Sequence, residues 1–92
     1  MVEAFEIDSQ AKMIESKSKV VEVDTTKVLV FIDHDSKAVY LWRGKNAELF
    51  TKLMGTRVAA RLSHKYPDYR IRPISEGNEP AAFKRIIGQK LN

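Results

Sequence analysis

Asp33-His34-Asp35 places two carboxylates on either side of an imidazole. These groups could transfer protons in acid and base catalysis or bind a metal ion. The flanking stretches, residues 28–32 and 38–42, are runs of β-branched, aromatic and other apolar residues, which favour buried strands. Short polar residues between two such runs are typical of a hairpin turn, where they bond to the local backbone. We therefore interpret the triplet as a solvated turn and predict that the protein is not an enzyme.

The composition excludes several other kinds of chemistry. The 92 residues fit one domain, and 43% hydrophobic with 30% charged residues is typical of a folded soluble protein. The chain has no cysteine, which excludes disulfides, thiolate metal sites and cysteine nucleophiles. The two histidines, His34 and His64, do not have the spacing of a zinc site. No signal peptide or membrane span is evident, so we expect a cytoplasmic protein.

Charge is unevenly distributed along the chain. Its net value of +4 comes from 16 basic and 12 acidic residues, with acidic residues concentrated in 1–35 and basic ones in 57–72 and 84–90. This distribution is compatible with an acidic partner surface, and equally with a basic face that is simply solvated. The basic residues are not gathered with exposed aromatics, so nucleic acid is not expected. The basic C-terminal segment could contact anionic lipid weakly, although one short helix does not give stable attachment.

Periodicity and turn residues predict the element order β-β-β-β-α-β-α, an α+β domain with a mixed sheet and a long helix on one face. The residues between the first two strands could be either a loose connection or extensions of those strands. Asn46 is the predicted N-cap of the long helix, which runs over 47–64 despite Gly55 and stops before Pro67. Pro80 begins a terminal helix over 81–90. The predicted strands are an edge strand at 2–8 and further strands at 19–24, 28–32, 38–42 and 69–74.

The long helix has two apolar faces when its residues are plotted at 100° each. One face carries small or branched side chains that suit close packing on a sheet: Gly55, Val58, Ala59 and Leu62. The roughly opposite face has an arginine at its centre and Met54 at its margin, and consists of Leu49, Phe50, Leu53, Arg57 and Ala60. A narrow polar strip of Lys52, Thr56 and Ser63 lies between the two faces.

The second apolar face has two explanations. The terminal helix or the N-terminal segment could cover it, or the wrong face could have been assigned to the core. Alternatively the face is exposed and inserts into a groove on a partner. Phe50 and Arg57 would then be the main anchors, because aromatic residues and arginine dominate interface energetics.

Two motifs resemble the gelsolin-like repeat and together cover residues 28–87. The first is the apolar run ending in Asp33, a short turn, then residues 39–45 with sequence VYLWRGK, leading into a helix with small residues at Gly55 and Ala59. The second is the Glu-Gly-Asn-Glu-Pro turn of residues 76–80, followed by Phe83. Within these motifs Trp42, Gly44, Gly77, Pro80 and Phe83 are interpreted as structural.

The resemblance implies a five-stranded mixed sheet between a long helix (about 46–64) and a short C-terminal helix (about 80–90). The whole chain, 1–92, would be a single gelsolin-like domain, with an N-terminal edge segment at 1–18 and core motifs at 19–90. It also implies an actin-binding protein of the cytoplasm and cytoskeleton that regulates assembly by capping, sequestering or filament binding. In that family the long helix lies in a cleft between two actin subdomains. By position, the actin contacts would be Leu49, Phe50, Leu53, Met54, Arg57 and Arg61.

The chain departs from the family pattern at its calcium site. Family repeats bind calcium through an aspartate early in the third strand and a glutamate early in the long helix. Lys27 and Val28 occupy the strand positions here, which leaves Glu48 and the sequence neighbour Asp24 as remnants. One carboxylate cannot supply the six to eight oxygens that calcium takes. No cofactor is therefore expected, and an intrinsic calcium site would be degenerate.

Two other functions remain open on sequence grounds, because one scaffold can host many functions. The same surface could bind a non-actin partner, such as a trafficking or GTPase-associated complex. The basic residues could instead bind phosphate or lipid. A single repeat should also sever filaments poorly, since severing exploits linked sites that act at high effective concentration.

Overall fold

The two apolar runs form the centre of a five-stranded sheet in a computed structural model that describes residues 1–91. The sheet order is β2-β1-β3-β4-β5, and only the β4–β5 pair is parallel. The elements are β1 (Val2–Ile7), β2 (Met13–Glu15), β3 (Val28–Asp33), β4 (Ala38–Arg43), α1 (Leu49–Lys65), β5 (Arg70–Ser75) and α2 (Ala81–Lys84). The predicted α+β class, mixed sheet and long and short helices are confirmed.

β3 is buried along its whole length and β4 is buried up to its last residue, so both faces of the sheet are covered. Residues alternate between the faces along each strand. One layer packs against α1 and consists of Ile7, Val28, Val30, Ile32, Val39, Leu41, Ala47, Met54, Val58 and Leu62. The other packs against α2 and consists of Val2, Ala4, Val21, Leu29, Phe31, Ala38, Tyr40, Trp42, Ile74, Phe83 and Ile86. The two helices therefore lie on opposite sides of the sheet.

The N-terminal part differs from the prediction. β1 is not an edge strand, since it pairs with both β2 and β3. The edge belongs to β2, which forms within the stretch 9–18 that the sequence left open. Residues 19–24 do not form a sheet strand: Val20 makes one isolated bridge with Lys90, and the Val21 N–H donates to the Gln89 carbonyl. This segment's backbone partners are in the C-terminal segment, which local sequence cannot reveal.

Both helices begin or end differently from the prediction. Glu48, not Asn46, is the residue before α1, and the N–H of Asn46 donates to the carbonyl of Thr25 at 2.8 Å. α2 is shorter than predicted because the chain turns after Lys84, and Gly88 adopts φ +87°. Ile87, just before this glycine, is 43% exposed.

Candidate protein-binding surface

Asp33 closes the β3–β4 hairpin. It is 8% exposed, and its Oδ1 and Oδ2 accept bonds from the Asp35 N–H at 3.1 Å and the Ser36 hydroxyl at 2.8 Å. Local bonds of this kind are those of a turn aspartate. The interpretation of the triplet as a turn is therefore confirmed, but Asp33 is buried and not solvated as expected.

The other two members of the triplet point to separate partners. His34 lies between the Tyr69 hydroxyl, 2.7 Å from Nδ1, and the Glu3 carboxylate, 2.5 Å from Nε2. Asp35 pairs with the N-terminal ammonium at 2.6 Å, which holds the pKa of its carboxyl below the ordinary value. These contacts tie the hairpin to β1 and to the start of β5. The three side chains of the triplet therefore bond to different partners.

The outer face of α1 is an apolar surface open to solvent. Leu49 is 73% exposed, Phe50 56% and Leu53 54%, although large apolar side chains are usually buried. Arg57 and Ala60 on the same face are also exposed. Nothing within residues 1–91 covers these side chains, since α2 lies across the sheet. We call Leu49, Phe50, Leu53, Arg57 and Ala60 the outer face.

The margin of this face differs in one residue from the prediction. Met54 is 8% exposed and packs in the layer beneath α1, so it lies on the inner side of the helix and not at the margin of the outer face. Arg61 is exposed, and its guanidinium donates to the carbonyl of Ala11 in the β1–β2 loop. Periodicity orders residues around a helix, but it does not fix the rotation at which the helix docks.

The inner face of α1 packs against β3 and β4 through the residues predicted for it. Val58 and Leu62 are buried and Ala59 packs at the edge of the layer. At Gly55 a Cβ would lie 2.9 Å from Val28 Cγ1, so the missing side chain allows close approach of helix and sheet. This packing orients the outer face away from the sheet.

The residues suggested as remnants of a calcium site either bond to other groups or lack the further oxygen ligands that calcium needs. Asp24 Oδ1 accepts bonds from the N–H and hydroxyl of Thr26, which lower the pKa of its carboxyl. Lys27, at the strand start, pairs with Glu6 at 2.8 Å. Glu48 is exposed. Across residues 1–91, no group of three or more histidine or acidic side chains is arranged to hold a metal ion.

A small cavity lies beside the outer face, on the side of the polar strip. Its volume is about 250 Å³, and it is lined by Arg43, Gly44, Lys45, Lys52, Ser75 and Glu76. We call it the Arg43 cavity. Sequence reasoning missed Arg43 as a surface residue, although strand alternation puts it on the same side of β4 as Val39 and Leu41, beneath α1.

Together the fold and the outer face define a small interaction domain with one unpartnered helix face. The chain is similar to the Thorarchaeota ProGel, solved in complex with rabbit actin, at 70% identity over 96% of this chain and 100% of that chain, with a TM-score of 0.86. It therefore belongs to the gelsolin-like family. The Thorarchaeota 2DGel3, also solved with rabbit actin, has a TM-score of 0.77 at 18% identity over 99% of this chain and 44% of that one, a likeness of fold.

Neither the family models nor the curated proteins include a match to this chain. In residues 1–91 we find no helix with the length and apolarity needed to cross a bilayer.

Proposed function

We propose that this gelsolin-like domain binds actin and regulates its assembly through the outer face of α1. The observation that carries the proposal is that three large apolar side chains, Leu49, Phe50 and Leu53, are each more than half exposed on one face of a packed helix. A rigid helix with an apolar stripe is suited to a groove on another protein. Solvent exposure of that stripe is otherwise unfavourable by about 25 cal/mol per Å².

The relatives support actin as the partner. The ProGel whose sequence is 70% identical to this chain was crystallised with rabbit actin. Within the proposed contact surface, Leu49, Phe50 and Leu53 supply apolar area, and Arg57 and Arg61 supply charge at its centre and margin. Met54 would act only indirectly, by holding α1 on the sheet.

The domain presents one such helix face, which favours capping or sequestering over severing. The proposed role is the regulation of actin assembly in the cytoskeleton, without catalysis. The candidate acid and base groups support this, because Asp33 bonds within the turn and His34 bonds to Glu3 of β1 and to Tyr69, just before β5.

Replacement of Leu53 by aspartate tests the helix surface. A charge at this position should weaken actin binding at least about 10-fold, because burying an unpaired carboxylate is unfavourable. Fold stability should change little, since the side chain is already 54% exposed. Binding is measured by cosedimentation with filaments and by the polymerisation rate of pyrene-labelled actin.

Ile87→Asp is the matched control, because Ile87 is also exposed but lies at the end of the chain that packs across the sheet from α1. It should bind as the wild type does. If the wild type has no effect on actin at high concentration, the proposed partner is wrong. If Leu53→Asp is as active as the wild type, the outer face is not the contact surface, and the identity of the partner is unaffected.

We further propose that the chain alone holds no tight calcium ion. Asp24 and Glu48 are too few ligands for a coordination shell of six to eight oxygens, and the neighbouring Lys27 is cationic. Titration calorimetry of the isolated domain with calcium should show no binding heat in the micromolar range. A saturable heat that is lost in both Asp24→Asn and Glu48→Gln would contradict this proposal.

A further inference from the structure

Arg43 is the last residue of β4 and has a buried donor without a partner. Its Nη2 donates to the Ser75 hydroxyl at 3.1 Å, and no acceptor in residues 1–91 bonds to its buried Nε. A guanidinium has five N–H donors in a fixed fork that matches a carboxylate. Buried donors in folded proteins are normally satisfied, so this side chain lacks an acceptor that its position requires.

Two lysines line the same cavity. Neither Lys45 nor Lys52 forms an ion pair within residues 1–91, where Lys27 is the one lysine or arginine that does. Lys52 is only partly exposed and belongs to the polar strip of α1. The cavity is thus lined by three cationic side chains, and neither lysine has a carboxylate within ion-pair distance in residues 1–91.

Glu76 is the acidic residue of the lining, and its carboxylate is already hydrogen-bonded to the loops before β3 and after β4. Its Oε1 accepts bonds from the Thr25 hydroxyl at 2.6 Å and the Lys45 N–H at 2.8 Å. These bonds hold the pKa of Glu76 below its ordinary value and fix its carboxylate to the loop. Three cations against one carboxylate leave the cavity positively charged.

We propose that the Arg43 cavity receives an aspartate or glutamate side chain of the actin docked on the outer face. The volume, about 250 Å³, is below the roughly 300–1,000 Å³ of pockets for drug-sized ligands and suits a single small group. Lys52 precedes Leu53 of the outer face, so a protein seated on that face would reach the mouth of the cavity. A carboxylate there would accept two bonds from the guanidinium of Arg43 and pair with Lys52.

This inference rests on the proposed function, and a salt series separates the two. Actin-monomer affinity is measured for the wild type, Lys52→Gln and Arg43→Gln at low salt and at about 0.3 M salt. At low salt both variants should bind actin monomer about 3- to 10-fold more weakly than the wild type, and Arg43→Gln should lose more affinity than Lys52→Gln. The difference from the wild type should shrink at high salt, where screening weakens the same ion pair.

Lys84→Gln is the control, because it removes the same charge from α2 on the other side of the sheet. It should lose less than about 2-fold, as expected for a remote exposed charge. If Arg43→Gln proves unstable in thermal denaturation, Lys52→Gln alone tests the proposal, since Lys52 is on the helix surface and its replacement should leave the fold intact. The cavity proposal is overturned if wild-type protein binds but Lys52→Gln matches it at both salt concentrations, or if Lys84→Gln loses as much. If the wild type does not bind at all, both proposals fall together.

Discussion

Gly44 and Gly55 both lie where an added methyl group would clash with a neighbour. The neighbour is loop backbone at Gly44 and core side chains at Gly55. At Gly44 a Cβ would lie 2.3 Å from the carbonyl oxygen of Thr25, a backbone atom of the neighbouring loop. At Gly55 it would lie 2.9 Å from Val28 Cγ1 and 3.2 Å from Leu41 Cδ1. Side-chain methyl groups can shift more easily than a hydrogen-bonded loop.

We therefore expect Gly44→Ala to be the more harmful substitution. Overpacking costs about 1–3 kcal/mol, and Gly44→Ala should be at or above the upper end of that range. Gly55→Ala recovers about 1 kcal/mol from the better helix propensity of alanine, so its net cost should be smaller. Urea unfolding measures both free energies. A greater loss in Gly55→Ala than in Gly44→Ala would show that the helix, and not the loop, is the less adaptable partner.

The β5–α2 turn is held by its two glutamates. Glu76 bonds to Thr25 and to the N–H of Lys45, whereas Glu79 accepts the indole N–H of Trp42 at 3.0 Å. The Trp42 bond is the main cause that holds the pKa of the Glu79 carboxyl below its ordinary value of 4.5. Each glutamate therefore joins the turn to residues of β4 or the loop after it. The two glutamates of the Glu-Gly-x-Glu-Pro pattern thus fasten the turn to the rest of the fold by hydrogen bonds.

Glu79→Gln tests that link through its pH dependence. Because the folded-state pKa is depressed, the ionised Glu79 contributes stability above pH 4.5, and this contribution is lost as pH falls below that value. At neutral pH the variant should be less stable by about 1 kcal/mol, after allowance for solvent screening. The gap should close toward about pH 3.

Urea unfolding at both pH values gives the comparison, with Glu22→Gln as an exposed control. Glu22→Gln should have little effect on stability at either pH. A gap for Glu79→Gln that is the same at both pH values would mean that the Trp42 bond does not depend on the carboxylate charge.

At the scale of the whole molecule, a sheet with one helix on each side leaves an apolar face of α1 open to solvent within residues 1–91. Much of this arrangement could be predicted from sequence, because β3, β4 and α1 have strong periodic patterns and β5 follows a clear turn. The outer face was predictable for the same reason. Its surplus apolar residues Leu49, Phe50 and Leu53 could not all face the same core as Val58 and Leu62.

The parts that could not be predicted depend on contacts between distant residues. Residues 19–21 have a strand-like composition, yet their backbone bonds go to residues 88–91. Met54 lies at the boundary of two helix faces, and the docking rotation of α1 places it inside. The cationic residues of the Arg43 cavity come from β4, from α1 and from the loop between them, so no local motif indicates the cavity.

The parallel pairing of β4 and β5 has a mechanical consequence. α1 is the crossover between these strands, which pair along their length from Ala38–Arg70 to Arg43–Ser75. Both ends of the helix are thus covalently joined to strands that are hydrogen-bonded to each other. Tension applied through the outer face is therefore divided between two adjacent strands, one of them central. The three-residue β2, which pairs with β1 alone, lies at the far edge of the sheet and outside this line of force.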